Sequence, residues 1–463
     1  MEDRIGLMQE VDEVLVDDIK ELVEQDGRGM VLNIILDLHA ADQAALIQRL
    51  PSEAAHKVFD WLPNEDKADL LLELDNSYRL RFIEDMDAAE IADVMDEMDS
   101  DDAVEVLGEL PDKIAESILP EMEDEEGVRE QLGYEEDTAG RLMSNVFVAV
   151  PDHWTVADTT EEVRRQAEEV DPIYVVYVLD ANQQLMGLVS LKQLLLSPSH
   201  TKISEIAVRD YVSVTPDVDQ EEVARIMERY DLTVLPVTDM GGELLGRITI
   251  DDIVDVIREE AEEDLQRLSG ISSGDEELSD SVFQISRGRL PWLLIGLTGS
   301  MVSAFVIGNF VGILEKIAVL AMFIPVIGST AGNVGVQSAA IAVQGIASGN
   351  IWASDLTKRI IKEVTIAFLN GLSLAIAIGL VIVVFKYSGW PRFHDVELAH
   401  LIETVGTALV ICILMAATIG SGVPLLLYRF KIDPAIATGP FVTTSNDILG
   451  VLIYFTIARL VYF

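Results

Sequence analysis

The chain is short of cysteine and of positive charge. Its one cysteine, Cys412, lies in an apolar run, so no internal disulfide can form and the residue reads as a small packed hydrophobe. Lys and Arg number 32 against 80 Asp and Glu, a formal net charge of -48. That balance repels phosphate backbones and excludes a nucleic-acid partner. The six histidines are scattered. No catalytic triad spacing, phosphate-binding glycine loop or zinc motif appears, so the chain does not read as an enzyme. A secretory signal is also missing. The start, MEDRIGLMQEVDEV, has neither a basic nor an apolar block, and the N-terminal half of the chain is expected to stay in the cytosol.

What the chain has is segregated. Hydrophobic residues make up 49% of it, which conflicts with so large a net charge in one globular domain. Before Arg287 the sequence is charged and acidic; from Pro291 onward long apolar runs dominate. The expected class is a large acidic soluble region followed by a membrane region.

The soluble region opens, after an N-terminal segment 1–30, with a repeat. Leu38, Leu50, Leu62, Leu74, Met86, Met98, Leu110 and Met122 recur at a fixed interval of 12 residues. Each unit carries a second apolar pair: Val58/Phe59, Leu70/Leu71, Phe82/Ile83, Val94/Met95, Val106/Leu107 and Ile118/Leu119. A Pro or Asp/Ser start followed by one short helix fits each unit. Helices that cannot bury an apolar face alone stack into a superhelix, so residues 31–132 are expected to form an α-solenoid. From Glu84 to Asp112 there are thirteen acids and no Lys or Arg. Two readings of that face stand: a solvated acidic surface, or one whose self-repulsion is relieved by bound divalent cations.

Residues 137–257 change texture. IYVVYVLDANQQLMGLVSLKQLL and LTVLPVTDMGGELLGRITIDDIVDVI are two related units of strand, turn, glycine-bearing strand and helix. VFVAVPDHWTVADTTEEVRRQAEE and YVSVTPDVDQEEVARIMERY supply a short strand and a helix ahead of each. The pattern resembles a tandem pair of CBS domains, modules that sense adenine nucleotides. The resemblance makes Gly246, Thr249 and Asp252 candidate nucleotide residues, with Thr and Asp on ribose and phosphates. In the first unit Gly187 and Ser190 match, but Gln193 stands in place of the Asp. The pattern therefore implies at most one good site, with ATP as a candidate regulatory ligand.

An acidic amphipathic helix joins the two halves within 251–286. Asp251 to Asp264 holds eight acids and one base, Arg258. Ile253, Val254, Ile257, Ala261, Leu265 and Leu268 recur at helical spacing. SGISSGDEELSDS breaks the helix. Such a helix either transmits motion to the membrane region or merely links to it.

The membrane region, 287–463, shows five apolar segments, near 290–313, 317–346, 364–385, 401–428 and 434–461. Arg287 and Arg289, then Lys358, Arg359 and Lys362, then Arg429 and Lys431 fall on one side if each segment spans once. Positive residues favour the cytosol, so YSGWPRFHDVELAH and the C-terminus are expected outside. Trp292, Trp352 and Trp390 sit near the expected interfaces. Five spans suit a dimer better than a monomer.

Two segments carry polar signals. In FIPVIGSTAGNVGVQSAAIAVQG, Pro325 and Gly328 are expected to bend or break the helix. Asn333 and Gln337 there exceed what a helix-packing seam requires. The last segment carries TTSND, with Asp447 a carboxylate at membrane depth, where charge is costly and functional.

GNVGVQSAA and GPFVTTSNDILG, behind a CBS pair and an acidic repeat, resemble the MgtE family of magnesium channels from about residue 31 to the end. The resemblance implies a homodimer in the cell membrane, a cytosolic N domain, a plug helix and five membrane helices per chain. It implies a pore on the dimer axis with Asp447 as the pore carboxylate. Asn333 and Asp433 are further candidates for the ion path, and Gly328, Gln337, Thr443, Thr444 and Asn446 for its lining. It also implies closure by cytosolic Mg²⁺, with Asp96, Asp99, Asp102, Asp252, Asp255, Glu259 and Glu263 as candidate sensing carboxylates. The chemistry agrees. Mg²⁺ keeps its waters, and carboxylate rings are a recurring cation filter. Rival readings are Co²⁺ or Mn²⁺ specificity, an ion-coupled secondary transporter, and a membrane-anchored nucleotide sensor. The pore segments lack soft ligands and no inverted repeat is evident, which disfavours the first two.

Overall fold

The twelve-residue period is the period of helix starts. In the computed structural model, helices begin at Ala40, Ser52, Asn64, Asn76, Ala88, Ser100 and Asp112, and none exceeds 10 residues. The structure describes residues 11–167, 170, 172–269, 282–347, 356–388, 390, 393, 396–430, 432, 434 and 439–463. It divides into two units, Met1–Glu260 and Ala261–Phe463.

Helices this short are marginal alone. Here every paired apolar position from Val58/Phe59 to Ile118/Leu119 is buried. Ala40–Ile47 packs on Asn64–Glu73, that on Ala88–Met95, and that on Asp112–Ile118. Side chains at some helix starts close the turns between helices. Asp87, for example, accepts from Glu90 N at 3.0 Å while Glu90 accepts from Asp87 N at 3.2 Å.

The two α/β units follow. β1 (Ala149–Pro151) pairs in parallel with β2 (Val175–Leu179), which pairs antiparallel with β3 (Leu185–Ser190). β4 (Val234–Thr238) pairs antiparallel with β5 (Leu244–Thr249). The strand expected at YVSVTPD is reduced to one parallel bridge, Val214↔Val237. The reason is chemical. In the first unit Tyr177 N donates to Val148 O at 2.9 Å. The matching residue of β4 is Pro236, which has no N–H to give. Both glycines of the repeat answer to close backbone approach. A Cβ on Gly187 would lie 2.8 Å from Val208 O, and one on Gly246 2.7 Å from Ser144 O.

Thr249 leads directly into one continuous helix, Ile250–Ser269. Its first turns bury Ile253 and Val256 in the second α/β unit, while Val254 and Ile257 stay exposed.

The second unit holds five long apolar helices: Val282–Asn309, Ile324–Ala347, Leu356–Tyr387, Leu398–Arg429 and Pro440–Tyr462, here the first to fifth membrane helices. The fourth is central, packing on the second, third and fifth. Three expectations are corrected. The first helix ends at Asn309, and a short helix, Val311–Lys316, follows. Pro325 does not break the second helix. A 3-10 turn, Ala318–Phe323, precedes that helix, and Pro325 occupies its first turn, where a missing N–H has no partner to lose. The fifth helix begins at Pro440, not near 434, so Asp447 stands two turns from its start. Cys412 is buried and free.

Candidate functional site

The second and fifth membrane helices meet along a seam of glycines. Gly328, Gly332 and Gly335 lie on one face of the second helix by their spacing. Against them stand, in turn, Asp447, Thr443 and Asn446. A Cβ on Gly328 would lie 3.4 Å from Asp447 Oδ1, and one on Gly332 3.8 Å from Thr443 Cγ2. At Gly335 there is no room for a side chain: Asn446 Nδ2 occupies its place, with Val442 Cγ1 at 2.8 Å. The fifth helix is seated on the first in the same way, with Thr444 filling the space over Gly299.

These contacts sort the expected pore residues. Asp447 is half-buried beside Gly328, and Thr443, one turn earlier, is exposed. Asn446 is fully buried instead, its Nδ2 donating to Ala331 O at 3.4 Å and its Oδ1 without a partner. Thr444 turns into the seam with the first helix. Asn333 and Gln337 are exposed, on the side of the second helix opposite Gly328, and one chain does not bring them to Asp447. Asp433 lies outside the described residues. Gly299 and Gly420, the latter packed against Gly335 from the fourth helix, were not singled out by sequence. Their signal was only the abundance of small residues in apolar runs.

A second constellation lies in the first unit. Helix Ser100–Glu109 faces the start of helix Ile250–Ser269, and both present carboxylates. Burial pushes the Asp101 carboxyl well above the usual range, and the charges of Asp102, Asp252 and Asp99 push the same way. Asp102 is pushed up to about 7 by burial, then by Asp252, Asp99 and Glu105. Glu259 is also pushed up to about 7, by burial, then by Glu105 and Asp255. Asp252 is raised by burial, against two hydrogen bonds from Thr249. The structure thus gathers Asp99, Asp102, Asp252, Asp255 and Glu259. It adds Asp101, Glu105 and Glu109, whose i, i+4 spacing was the available signal. Ser100 Oγ accepts from Asn145 N at 2.9 Å and ties the helical repeat to the α/β units at this point. Asp96 lies apart, accepting from Glu123 N at 3.1 and 3.2 Å, and Glu263 pairs with Arg267 on its own helix. Among the described residues, no three His, Cys, Asp or Glu converge closely enough to ligate one ion.

The candidate nucleotide residues are occupied with one another. Asp252 Oδ2 accepts from Thr249 N at 3.1 Å and Thr249 Oγ1 at 2.6 Å, capping the long helix. Gln193 does the same for Ser190 at 2.9 and 3.0 Å, so a Gln replaces the Asp there without loss of the cap.

A carboxylate set in a glycine seam of a five-helix membrane bundle, in a chain that also carries an acidic helical repeat and CBS-like units, fits the class of divalent cation transporters. Family comparison agrees. The divalent cation transporter family matches residues 324–457, the MgtE intracellular N domain 38–137 and the CBS domain 203–259. The chain belongs to the MgtE family of magnesium transporters. The magnesium transporter MgtE of Enterococcus faecalis is 39% identical over 92% of this chain and 92% of its own length. That of Bacillus subtilis is 30% identical over 94% of each. A solved cytosolic domain of the Mg²⁺ channel MgtE, in complex with ATP, superposes with a TM-score of 0.50 at 30% identity. It covers 52% of this chain and 99% of that one. The protein is a multi-pass membrane magnesium transporter with an intracellular N domain.

Proposed function

We propose that the protein is a homodimeric, Mg²⁺-selective channel of the cell membrane that admits Mg²⁺ and is closed by cytosolic Mg²⁺. The observation that carries this reading is the half-buried Asp447 carboxylate against the bare backbone of Gly328. A carboxylate at membrane depth is unfavourable without a partner. Two copies facing across a two-fold axis hold one hydrated Mg²⁺ through its waters, and the glycine leaves room for that shell. Asn333 and Gln337, exposed within one chain, then face the second copy or the ion path. Thr443 adds a hydroxyl one turn from Asp447, and Asp433 is proposed at the inner mouth. The basic residues at one set of helix ends support an orientation with the N-terminal half in the cytosol and the C-terminus outside.

Closure follows from the second constellation. Asp99, Asp101, Asp102, Asp252, Asp255 and Glu259 are crowded in the docked arrangement and repel one another there. Divalent ions relieve that repulsion only when the two walls are together, and such differential affinity is what shifts a conformational equilibrium. Asp96 and Glu263 are retained as weaker candidates for the same role. The domain partition we propose is 31–132, 137–257, a connecting helix within 251–286, and 287–463. ATP is proposed as a regulatory ligand of the CBS pair near Gly246, Thr249 and Asp252, supported by the ATP complex of the relative's cytosolic domain.

The test is Mg²⁺ flux into liposomes of purified protein, wild type and Asp447→Asn, against Mg²⁺ on the cytosolic side. Flux that survives Asp447→Asn unchanged overturns the pore assignment. Flux indifferent to cytosolic Mg²⁺ overturns the gating.

A further inference from the structure

We propose that Arg79 is the resident counter-cation of the acidic face and sets the Mg²⁺ concentration at which that face closes; this rests on the sensing role given above. Arg79 lies in helix Asn76–Glu84, the repeat neighbour of helix Ser100–Glu109. Its side chain is 7% exposed. Its position is fixed by the backbone of the preceding helix. Nε donates to Leu71 O at 2.8 Å, and one terminal nitrogen to Leu72 O at 3.2 Å and Leu74 O at 3.5 Å. The other terminal nitrogen is turned to the acids, 2.7 Å from Glu109 Oε2 and 3.6 Å from Glu105 Oε1.

No lysine or arginine occurs from Glu84 to Asp112. The cation of the repeat that the structure places on the carboxylates of this wall is Arg79; Arg141, from outside the repeat, lies over Gly108 of the same helix. Arg79 also acts on Asp102. On the opposite wall Arg258 pairs with Asp255 at 3.1 Å, and Arg247 lies near Asp252. Arg79 differs from Arg258 in being buried and immobile, so solvent screens it little. One terminal nitrogen, held in place by the backbone contacts of the other two nitrogens, pairs with Glu109 at 2.7 Å and lies 3.6 Å from Glu105. Those two carboxylates are thereby withheld from an arriving ion, which meets Asp101, Asp102, Asp252, Asp255 and Glu259. The same charge lowers the attraction of the whole face for a divalent cation. Removing it frees two carboxylates and makes the face more negative by one unit. Binding then tightens, and closure comes at lower Mg²⁺.

The experiment uses the full chain in lipid nanodiscs, with Mg²⁺-dependent protection of the cytosolic region from protease as the readout. Wild type gives a midpoint concentration. Arg79→Gln is expected to lower it about tenfold, since a unit charge at this range is worth roughly that factor at an intermediate dielectric. Arg79→Lys, which keeps the charge and loses the fork, stays within about threefold of wild type. Glu109→Gln removes the nearer of the two carboxylates beside Arg79, leaves its charge less neutralised and raises the midpoint. That last variant keeps the proposal falsifiable if Arg79→Gln does not fold. An unmoved midpoint in folded Arg79→Gln, or an unmoved or lowered midpoint in Glu109→Gln, overturns the proposal. A wild type with no midpoint at all overturns the sensing role itself, a different and separately visible result.

Discussion

Asp447 and Gly328 are placed so that an oxygen of the one lies 3.4 Å from where a Cβ on the other would stand. The distance is an ordinary van der Waals contact, and nothing else lies within 4 Å of that point, so the carboxylate stands beside bare backbone with open space around it. The glycine therefore shapes the immediate surroundings of the charge.

From that relationship comes a graded series. Asp447→Asn keeps the size and removes the charge, and is expected to lower Mg²⁺ flux by about a hundredfold, since the attraction to a divalent ion at low dielectric is lost. Gly328→Ala touches the carboxylate without displacing it and should cost no more than about fivefold. Gly328→Val pushes a branched side chain onto the carboxylate and should approach Asp447→Asn. Liposome flux with a Mg²⁺-sensitive dye reads all three. Wild-type flux in Gly328→Val would mean that the ion does not pass that side of Asp447.

The buried Asn446 makes a second prediction. Gly335→Ala places a methyl group on Asn446 Nδ2 and 2.8 Å from Val442 Cγ1, while Gly335 O is already held against Gly420. Overpacking of this kind destabilises by about 1–3 kcal/mol. Asn446→Ala vacates the same space, so the double variant should be less destabilised than the sum of the singles. Thermal unfolding in detergent measures this. Strict additivity would show that the two residues do not share the seam.

Much of this architecture was legible in the chain because its signals are periodic or compositional. The spacing from Leu38 to Met122 became the helix starts from Ala40 to Asp112, since one helix per repeat is the smallest unit that buries Val58/Phe59 and its equivalents. Segregated charge separated the membrane half. Helix ends were less legible. Pro325 reads as a breaker in sequence, yet a proline in a first turn interrupts nothing, and only the preceding 3-10 turn shows which case applies. The acidic face was half legible. Asp102 and Asp252 stood out by local density, but their meeting depends on packing between residues 150 positions apart in the chain. Arg79 carried no signal, because it and Arg81 on the same helix look alike in sequence until the burial of Arg79 is known.

Thr249 gives a test of the long helix. Its hydroxyl donates to Asp252 at 2.6 Å, and the Asp252 carboxylate in turn accepts from Thr249 N at 3.1 Å. Thr249→Ala removes the hydroxyl–carboxylate bond and should destabilise the first unit by about 1 kcal/mol, the usual net worth of one such hydrogen bond. Thr249→Ser should restore it. Differential scanning calorimetry of the full chain reads the difference. Equal transition temperatures in all three would mean that the cap is redundant.

The acidic face predicts a pH dependence whose sign is fixed by its raised carboxyls. Asp102 and Glu259 are each pushed up to about 7 in the folded arrangement, against roughly 4 for free carboxyls. Between about pH 4 and pH 7 the folded state therefore holds protons that the unfolded chain has released. Stability without Mg²⁺ must fall as pH rises through that window, and the loss is complete above it. From pH 6 to pH 8 the expected change is about 1–2 kcal/mol for the two groups, after allowance for the partial exposure of Glu259. Bound Mg²⁺ takes over the neutralising role of the proton, so at millimolar Mg²⁺ the slope should flatten. Since protons and Mg²⁺ then compete for the same carboxylates, the Mg²⁺ midpoint should also be higher at pH 6 than at pH 8. Protease protection of the cytosolic region at the two pH values, with and without Mg²⁺, measures both effects. Greater Mg²⁺-free protection at pH 8 than at pH 6 would mean that these acids are not crowded together in the folded protein.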